Sequence, residues 1–150
     1  MQYKGNILLP IFNEEQSIIE LISEIELHIK ELNIDFVVTL VDDGSRDKSW
    51  EIIEKLDSEY LSFRRIKLTR NFGHQPAIFA GLENFNEDFV IILDADFYSG
   101  GDFDSMKEML RDGRMVVEIR AKTGATKKNR GTVFRTSQKH MPDLFSGILL

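Results

Sequence analysis

The sequence predicts an α/β domain in which a mostly parallel β-sheet carries helices on both faces. Short apolar segments rich in β-branched residues alternate with segments whose apolar residues recur at helical spacing. Successive strand segments are separated by about twenty residues, a length that suits crossover connections between parallel strands. The 150 residues are 42% hydrophobic and 29% charged, enough to build the core of one soluble domain.

Two strands and two helices are predicted in the first part of the chain. Residues 6–10 form a short buried strand, and residues 36–41 (FVVTLV) form a second strand because β-branched residues dominate them. Between these strands, apolar residues recur at spacings of 4, 3, 4 and 3, which predicts an amphipathic helix. That stripe consists of Ile18, Ile22, Ile25, Ile29 and Leu32. A second helix is expected over residues 47–60.

The rest of the chain continues this alternation. Residues 63–69 alternate like a strand with one solvated face, and a helix is expected to open at Pro76, because proline suits the first turn of a helix. Residues 89–93 (FVIIL) are apolar throughout and predict a central strand. A further helix running to Asp112 and a fifth strand over residues 114–119 complete the pattern.

The charge is unevenly divided along the chain. Residues 1–119 hold 24 acids and 12 Lys or Arg, a net charge of −12, although the whole chain carries only −6. Residues 120–140 hold seven cations and no acid, namely Arg120, Lys122, Lys127, Lys128, Arg130, Arg135 and Lys139. We expect a folded domain over 1–119 and a basic segment over 120–150. That segment either meets phosphate, on a lipid surface or a nucleic acid, or is a solvated end.

The composition excludes several classes of protein. The chain has no cysteine, so it has neither disulfides nor thiolate metal sites. No apolar run approaches the roughly 20 residues that span a bilayer, and the apolar stretch near the amino terminus is too short for a secretion signal. We expect a cytoplasmic protein, with the inner face of the membrane as a further location if the basic segment binds lipid.

Polar clusters follow each of the first four predicted strands. They are Asn13-Glu14-Glu15, Asp42-Asp43-Gly44-Ser45, Arg70 to His74, and Asp94 with Asp96. The carboxyl ends of parallel strands share one edge of the sheet, where ligands bind in open α/β folds, so these clusters should meet. Any one cluster can be a turn or a helix cap, and for residues 43–45 the turn interpretation is as good as binding. Four clusters on one edge favour a site.

The pair of carboxylates at Asp94 and Asp96 predicts a metal-binding site. They follow a buried strand and, being two residues apart, point to the same face. Gathered carboxylates repel unless a cation joins them. Oxygen-only ligands favour Mg²⁺ or Mn²⁺, which proteins usually hold with one or two carboxylates plus substrate phosphates. The sequence has no glycine-rich phosphate loop of the Walker or Rossmann pattern. A divalent metal that arrives with a diphosphate is therefore expected.

Four segments resemble the family 2 glycosyltransferases of GT-A fold, in particular the polyprenyl-phosphate glycosyltransferases related to dolichol-phosphate mannose synthase. The segments LLPIFNEE, LVDDGSRDKSWEII, LTRNFGHQPAIFAGL and VIILDAD match in order and spacing, over roughly residues 5–97. The resemblance implies a Rossmann-like nucleotide-sugar-binding domain over 1–119, with residues 120–150 facing the acceptor or the membrane. It implies inverting transfer from a UDP-, GDP- or dTDP-linked sugar to a polyprenyl phosphate, with Mg²⁺ or Mn²⁺ and without nucleic acid.

The resemblance also implies site residues by position. It assigns Pro10, Phe12, Glu14 and either Asp42 or Asp43 to the base and ribose, and Asp94 and Asp96 to the ribose, the diphosphate and the metal. Arg70 would lie near the donor pocket and, with Asp96, is a catalytic candidate. His74 belongs to a matching segment, and a helix-entry role is preferred for it over a ligand role.

Two departures keep other functions open. Relatives usually continue from their D-x-D motif with Leu-Gln-Asp-Pro-Pro-Glu, whereas Tyr98 stands here at the glutamine position. Relatives also run well past this length. The main alternative is therefore a truncated or non-catalytic nucleotide-sugar-binding module. A phosphohydrolase of the haloacid dehalogenase type is less suitable, because it places D-x-D after its first strand and takes Thr or Val where Tyr98 stands.

Overall fold

The computed structural model describes residues 3–30, 32–95 and 118–119 of the chain. Within these ranges, five strands alternate with three helices. In chain order they are β1 (Tyr3–Ile11), α1 (Ile18–Ile29), β2 (Ile34–Asp42), α2 (Ser49–Lys55), β3 (Leu61–Lys67), α3 (His74–Glu83), β4 (Phe89–Leu93) and β5 (Glu118–Ile119). The strands form one sheet in the order β3-β2-β1-β4-β5, and every pair is parallel. The predicted α/β class and parallel sheet are confirmed.

Alternation along the strands feeds two cores, one on each face of the sheet. In β1, Ile7 and Leu9 pack with the buried residues of α1 and with Ile53 of α2, whereas Leu8 faces α3. Helix α3 lies so close to β1 that a side chain at Gly81 would collide with the methyl groups of Leu8. All five residues of β4 are buried, as expected for a strand with neighbours on both sides. Helices therefore cover both faces, as predicted.

Helix α2 is shorter than predicted and ends at Lys55 instead of residue 60. Leu56 has extended backbone (ψ 132°), and the hydroxyl oxygen of Ser58 accepts hydrogen bonds from the N–H groups of Tyr60 and Leu61. This local turn competes with the helix and starts β3 two residues earlier than the apolar alternation indicated.

Other boundaries shift by a few residues. Helix α1 ends at Ile29, so Leu32 lies outside it although it still packs against the core. Helix α3 begins at His74 and not at Pro76, with Gly73 as the preceding cap residue. The predicted helix running to Asp112 lies outside the described residues, and only residues 118–119 of the fifth strand lie inside them. No helix among the described residues is long and apolar enough to cross a membrane.

A buried polar network, which the sequence pattern did not predict, lies on the α3 face of the sheet. The Asn6 amide donates hydrogen bonds to the Thr39 hydroxyl and to the Glu87 carboxylate, both at 2.9 Å. Arg64 adds an ion pair to Glu87 at 2.7 Å. Burial alone would raise the pKa of Glu87, but the hydrogen bonds from Arg64, Asn6 and the Asn86 N–H lower it below the 4.5 of a free glutamate. The network joins the first three strands to the start of β4.

The lowered pKa of Glu87 makes this network sensitive to acid. Since the folded-state pKa lies below 4.5, the carboxylate stabilises the fold fully above pH 4.5, and this contribution is lost as pH falls through the folded-state value. We expect Glu87→Gln to lower the free energy of unfolding at pH 7 by about 1–3 kcal/mol. The variant should also lose less stability than the parent between pH 5 and pH 3. Urea unfolding at pH 7 and between pH 5 and pH 3 measures both effects, with exposed Glu83→Gln as the control. Equal acid dependence in parent and Glu87→Gln would contradict the assignment.

Candidate functional site

The strand order creates a crevice at the carboxyl ends of β1 and β4. The chain runs outward from β1 through β2 to β3, then returns to the other side of β1 to form β4. This reversal is the switch point at which open α/β sheets bind ligands. The four polar clusters follow β1, β2, β3 and β4 respectively, and the register pairs Ile11 with Asp42 and Asp42 with Lys67. The described residues of the four polar clusters therefore share one edge of the sheet, as expected.

The segment after β1 is held to the segment after β2 by reciprocal hydrogen bonds. Asn13, whose φ of 54° is unusual for a residue other than glycine, donates its N–H to the Ser45 hydroxyl at 2.9 Å and accepts the Arg46 N–H at 2.8 Å. The Glu14 N–H donates to the Ser49 hydroxyl at 2.8 Å. These bonds give the loop after β1 a defined path, in which the Phe12 ring is exposed.

Asp47 adds a further connection between the same two segments. Its carboxylate accepts the N–H groups of Glu15 and Ser49, and the Glu15 carboxylate in turn accepts the Lys48 N–H. Burial would raise the pKa of Asp47, but the hydrogen bonds from Ser49 and the backbone outweigh it and lower the pKa below its usual value. Asp47 and Ser49 are thus structural members of the site that sequence reasoning missed, and the contacts of Asn13 and Ser45, which belong to the predicted clusters, were not predicted either. The available signal was the concentration of Asn, Asp and Ser in two adjacent loops.

Asp42 and Asp43 occupy different environments, although the sequence left the choice between them open. Asp42 ends β2 on the face of α1 and α2 and is fully buried. One of its oxygens accepts the Ser45 N–H at 3.3 Å, and the other has no hydrogen-bond partner among the described residues. Asp43 points to the α3 side, where its two oxygens accept the N–H groups of Phe72 and Gly73 at 2.7 and 2.9 Å.

Gly44 lets the turn after β2 touch the segment after β3. Its φ is +68°, and a Cβ at this position would overlap the Arg70 backbone and lie 2.5 Å from the Asn71 nitrogen. On the outer side of this contact, the Arg70 guanidinium stacks 4.6 Å from the centroid of the Phe72 ring. Arg70 is therefore exposed beyond the end of β3, on a backbone that contacts Gly44 and that precedes the N–H donors of Asp43.

The end of β4 faces the start of α3. Asp94 lies directly after the strand, and continuing the β1–β4 register by two residues sets it level with Pro10. The His74 Nε2 atom lies 3.4 Å from Asp94 Oδ1. His74 is the first residue of α3, which confirms its helix-entry role, and it is also a neighbour of the carboxylate. Sequence reasoning did not connect these two residues.

The donor chemistry of this edge suits a hard divalent cation. Asp94 supplies carboxylate oxygens at the switch point, while Asp96 and Tyr98 lie outside the described residues. In the part of the chain that the structure describes, no three His, Cys, Asp or Glu gather as a complete metal site. Mg²⁺ and Mn²⁺ do not require one, because a carboxylate or two and the phosphates of a substrate can complete their shell. Asp94, the predicted metal ligand that the structure describes, fits this ligand chemistry.

Comparison with known proteins identifies the family. The model of the family described as glycosyl transferase family 2 matches residues 6–141. The chain belongs to this family. An undecaprenyl-phosphate 4-deoxy-4-formamido-L-arabinose transferase of Pseudomonas savastanoi pv. phaseolicola is 46% identical over 92 residues, which cover 61% of this chain. The matched part is 27% of that relative, so this family 2 chain corresponds to about a quarter of the relative's length.

Solved structures confirm the GT-A fold. S. aureus TarS residues 1–349 match with a TM-score of 0.64 and 22% identity, over 83% of this chain and 38% of that TarS fragment. The mannosyltransferase PcManGT from Pyrobaculum calidifontis, solved with GDP-Man and Mn²⁺, matches with a TM-score of 0.56 and 22% identity, over 64% of this chain and 28% of its own. At this level of identity the likeness concerns the fold alone.

The structure places seven of the eight predicted site residues at one edge of the sheet. These are Pro10, Phe12, Glu14, Asp42, Asp43, Arg70 and Asp94. The eighth, Asp96, lies outside the described residues. Their roles toward a ligand stay predictions.

The backbone contact at Gly44 makes any larger residue at this position destabilising. We expect Gly44→Ala to destabilise the fold by about 2 kcal/mol, because alanine is strained at positive φ and its Cβ meets the Arg70 backbone. Urea unfolding of the variant measures the loss. Arg46→Ala, two residues away and exposed, should change stability by less than about 0.5 kcal/mol. A similar effect of both substitutions would argue against a backbone contact at Gly44.

Proposed function

We propose that this protein binds a nucleotide sugar in the crevice between β1 and β4 and transfers the sugar to a polyprenyl phosphate. The observation that carries the proposal is the placement of Pro10, Phe12 and Asp94 at the switch point of a family 2 chain, with Arg70 on the same edge of the sheet after β3. Together these residues offer an aromatic ring, a guanidinium and a metal-binding carboxylate to one ligand. A nucleoside diphosphate sugar has a group for each of them.

The donor is a nucleotide sugar on two grounds. TarS has been solved with UDP and with UDP-GlcNAc, and PcManGT with GDP-Man. In this chain, the exposed Phe12 ring offers a stacking surface for a base, and Pro10 and Glu14 lie two residues before and after it in the chain. A carboxylate of the Asp42–Asp43 pair accepts hydrogen bonds only, which suits the N–H of uracil or guanine. UDP-, GDP- and dTDP-linked sugars are the donors to test.

Asp94 and Asp96 would hold Mg²⁺ or Mn²⁺ together with the diphosphate oxygens. The bound ion would act as a Lewis acid toward the departing nucleoside diphosphate. The Arg70 guanidinium, fixed by its contact with Phe72, adds a positive charge on the side of β3 and neutralises charge on the leaving diphosphate. The protein thus contributes orientation and charge, and the reaction is a single in-line displacement that inverts the anomeric centre.

The acceptor is a polyprenyl phosphate, because the similar relatives are named undecaprenyl-phosphate transferases. The second pKa of a phosphate monoester lies near 6, so such an acceptor is largely ionised at neutral pH and requires positioning more than a general base. The seven cations of residues 120–140 supply charge for this positioning, at the inner face of a membrane.

Binding of the nucleoside diphosphate should depend on the carboxylates after β4. We expect Asp96→Asn to abolish the gain in UDP or GDP affinity that Mn²⁺ provides, and Asp94→Asn to reduce it, with both variants folded because Asp94 lies at the rim of the sheet. A ligand at 100 times its Kd adds about 2.7 kcal/mol of stability, so thermal shift detects the effect. Asp57→Asn, exposed between α2 and β3, is the control. Unchanged metal dependence in both variants would refute the metal assignment. Sugar transfer by the parent is measured separately, and nucleotide binding without transfer would support the non-catalytic module.

The basic segment should recruit the protein to anionic membranes. We expect sedimentation with phosphatidylserine vesicles at low salt and release at high salt, since each cation near such a surface contributes about 1 kcal/mol. Replacing Lys127, Lys128 and Arg130 by Gln should weaken this binding about 100-fold, by the same estimate. The same replacement at Lys30, Lys48 and Lys55 is the control, because these exposed cations belong to the acidic domain. Equal losses in both triple variants would argue against a specific role of residues 120–140.

A further inference from the structure

Asp43 makes contacts that a residue used only for a ligand does not need. Its carboxylate is buried, and it accepts the backbone N–H groups of Phe72 and Gly73, 29 and 30 residues further along the chain. Hydrogen bonds from backbone N–H groups to an ionised carboxylate are stronger than those between neutral groups. These donors stand at the start of α3, where the helix dipole also favours a negative charge.

These two bonds define the shape of the segment between β3 and α3. Gly73 has φ 107° and ψ 167°, a conformation that only glycine adopts readily, and it directly precedes His74. Phe72 supports the Arg70 guanidinium through its ring. One acceptor oxygen of Asp43 therefore fixes Phe72, whose ring stacks with Arg70. The other fixes Gly73, which forms the turn into α3. Gly44 prevents the segment from moving inward, because the two backbones are already in contact there.

We propose that Asp43 is a positioning residue that acts on the diphosphate of the donor through Arg70. The buried carboxylate holds the segment from Arg70 to Gly73 by the N–H groups of Phe72 and Gly73. The position of the Arg70 guanidinium, which stacks on the Phe72 ring, is thereby fixed relative to the end of β3. This assignment rests on the proposed function, because it requires a nucleoside diphosphate in the crevice.

A double-mutant cycle between Asp43→Asn and Arg70→Met tests the assignment. Asparagine has one acceptor oxygen in place of two, so it can keep only one of the two bonds. We expect each single variant to weaken UDP or GDP binding about tenfold or more, the loss associated with one hydrogen bond to a charged group. In the double variant the losses should not add, because Asp43 acts through Arg70. Binding of the free nucleoside, uridine or guanosine, should change much less than binding of the diphosphate.

Matched variants separate positioning from general destabilisation. Lys55→Met removes an exposed cation at the end of α2, and its effects should add to those of Asp43→Asn. Phe72→Ala removes only the exposed ring beneath Arg70, so it remains informative if Asp43→Asn fails to fold. Phe72→Ala should lower the affinity for the diphosphate more than that for the free nucleoside, by less than Asp43→Asn does. This loss should also not add to that of Arg70→Met. Hydrogen exchange of the Phe72 and Gly73 amides should accelerate in Asp43→Asn.

The outcomes distinguish the two proposals. Additive losses in the cycle, or an equal loss for nucleoside and diphosphate, would overturn the positioning role and leave Asp43 as a contact of the base. Unchanged exchange of the Phe72 and Gly73 amides would overturn it as well. If the parent binds none of UDP, GDP and dTDP with Mn²⁺ although both amides are protected by Asp43, the proposed function itself fails.

Discussion

The parallel pairing of β1 with both β2 and β4 is the constraint on which the site depends. Parallel strands need crossover connections, and each crossover returns the chain to the same starting edge of the sheet. All the segments that leave the strands therefore start at the opposite edge, whatever their sequence. Since β1 is flanked by β2 on one side and β4 on the other, the loops after these three strands open around a single crevice. The apolar residues that stabilise the sheet thus also decide where the polar residues meet.

The fold was largely predictable because two strong patterns of apolar residues determine it. Helical spacing in α1 and continuous apolar character in β4 follow directly from which faces are buried, and the structure confirms both. The ends of elements were less predictable, because short-range side-chain hydrogen bonds set them. Ser58 ends the α2 region by accepting two backbone N–H groups, a choice between helix and turn that periodicity does not record. The polar network at Glu87 was missed for a related reason, since its partners come from four separate segments.

The site was predictable as a place, but only partly as a set of contacts. Strand ends located Asp42, Asp43, Arg70 and Asp94 at one edge, and that placement holds. The sequence could not separate Asp42 from Asp43, because alternation sends neighbouring side chains to opposite faces and their partners are remote in sequence. The hydrogen-bond donors to Asp43, Phe72 and Gly73, follow β3 in the chain. The partners of Asn13 lie in the loop after β2. Such contacts depend on how loops approach one another, for which a single sequence has no periodic signal.

The distribution of hydrogen-bond donors changes the electrostatic argument for a metal. From the sequence alone, the acids on this edge appear as one repelling cluster that a cation must neutralise. In the structure, backbone N–H groups already stabilise the charges of Asp43, Asp47 and Glu15, each through its own loop. These three acids therefore need a divalent cation less than the sequence suggested, whereas the buried Asp42 keeps one carboxylate oxygen without a partner among the described residues. In the proposed site, a divalent cation would lie at Asp94, which is 3.4 Å from His74 at the switch point, where the diphosphate of a donor would bring further negative charge. Metal binding and diphosphate binding would then be one event in the proposed site, because each supplies the charge that the other requires.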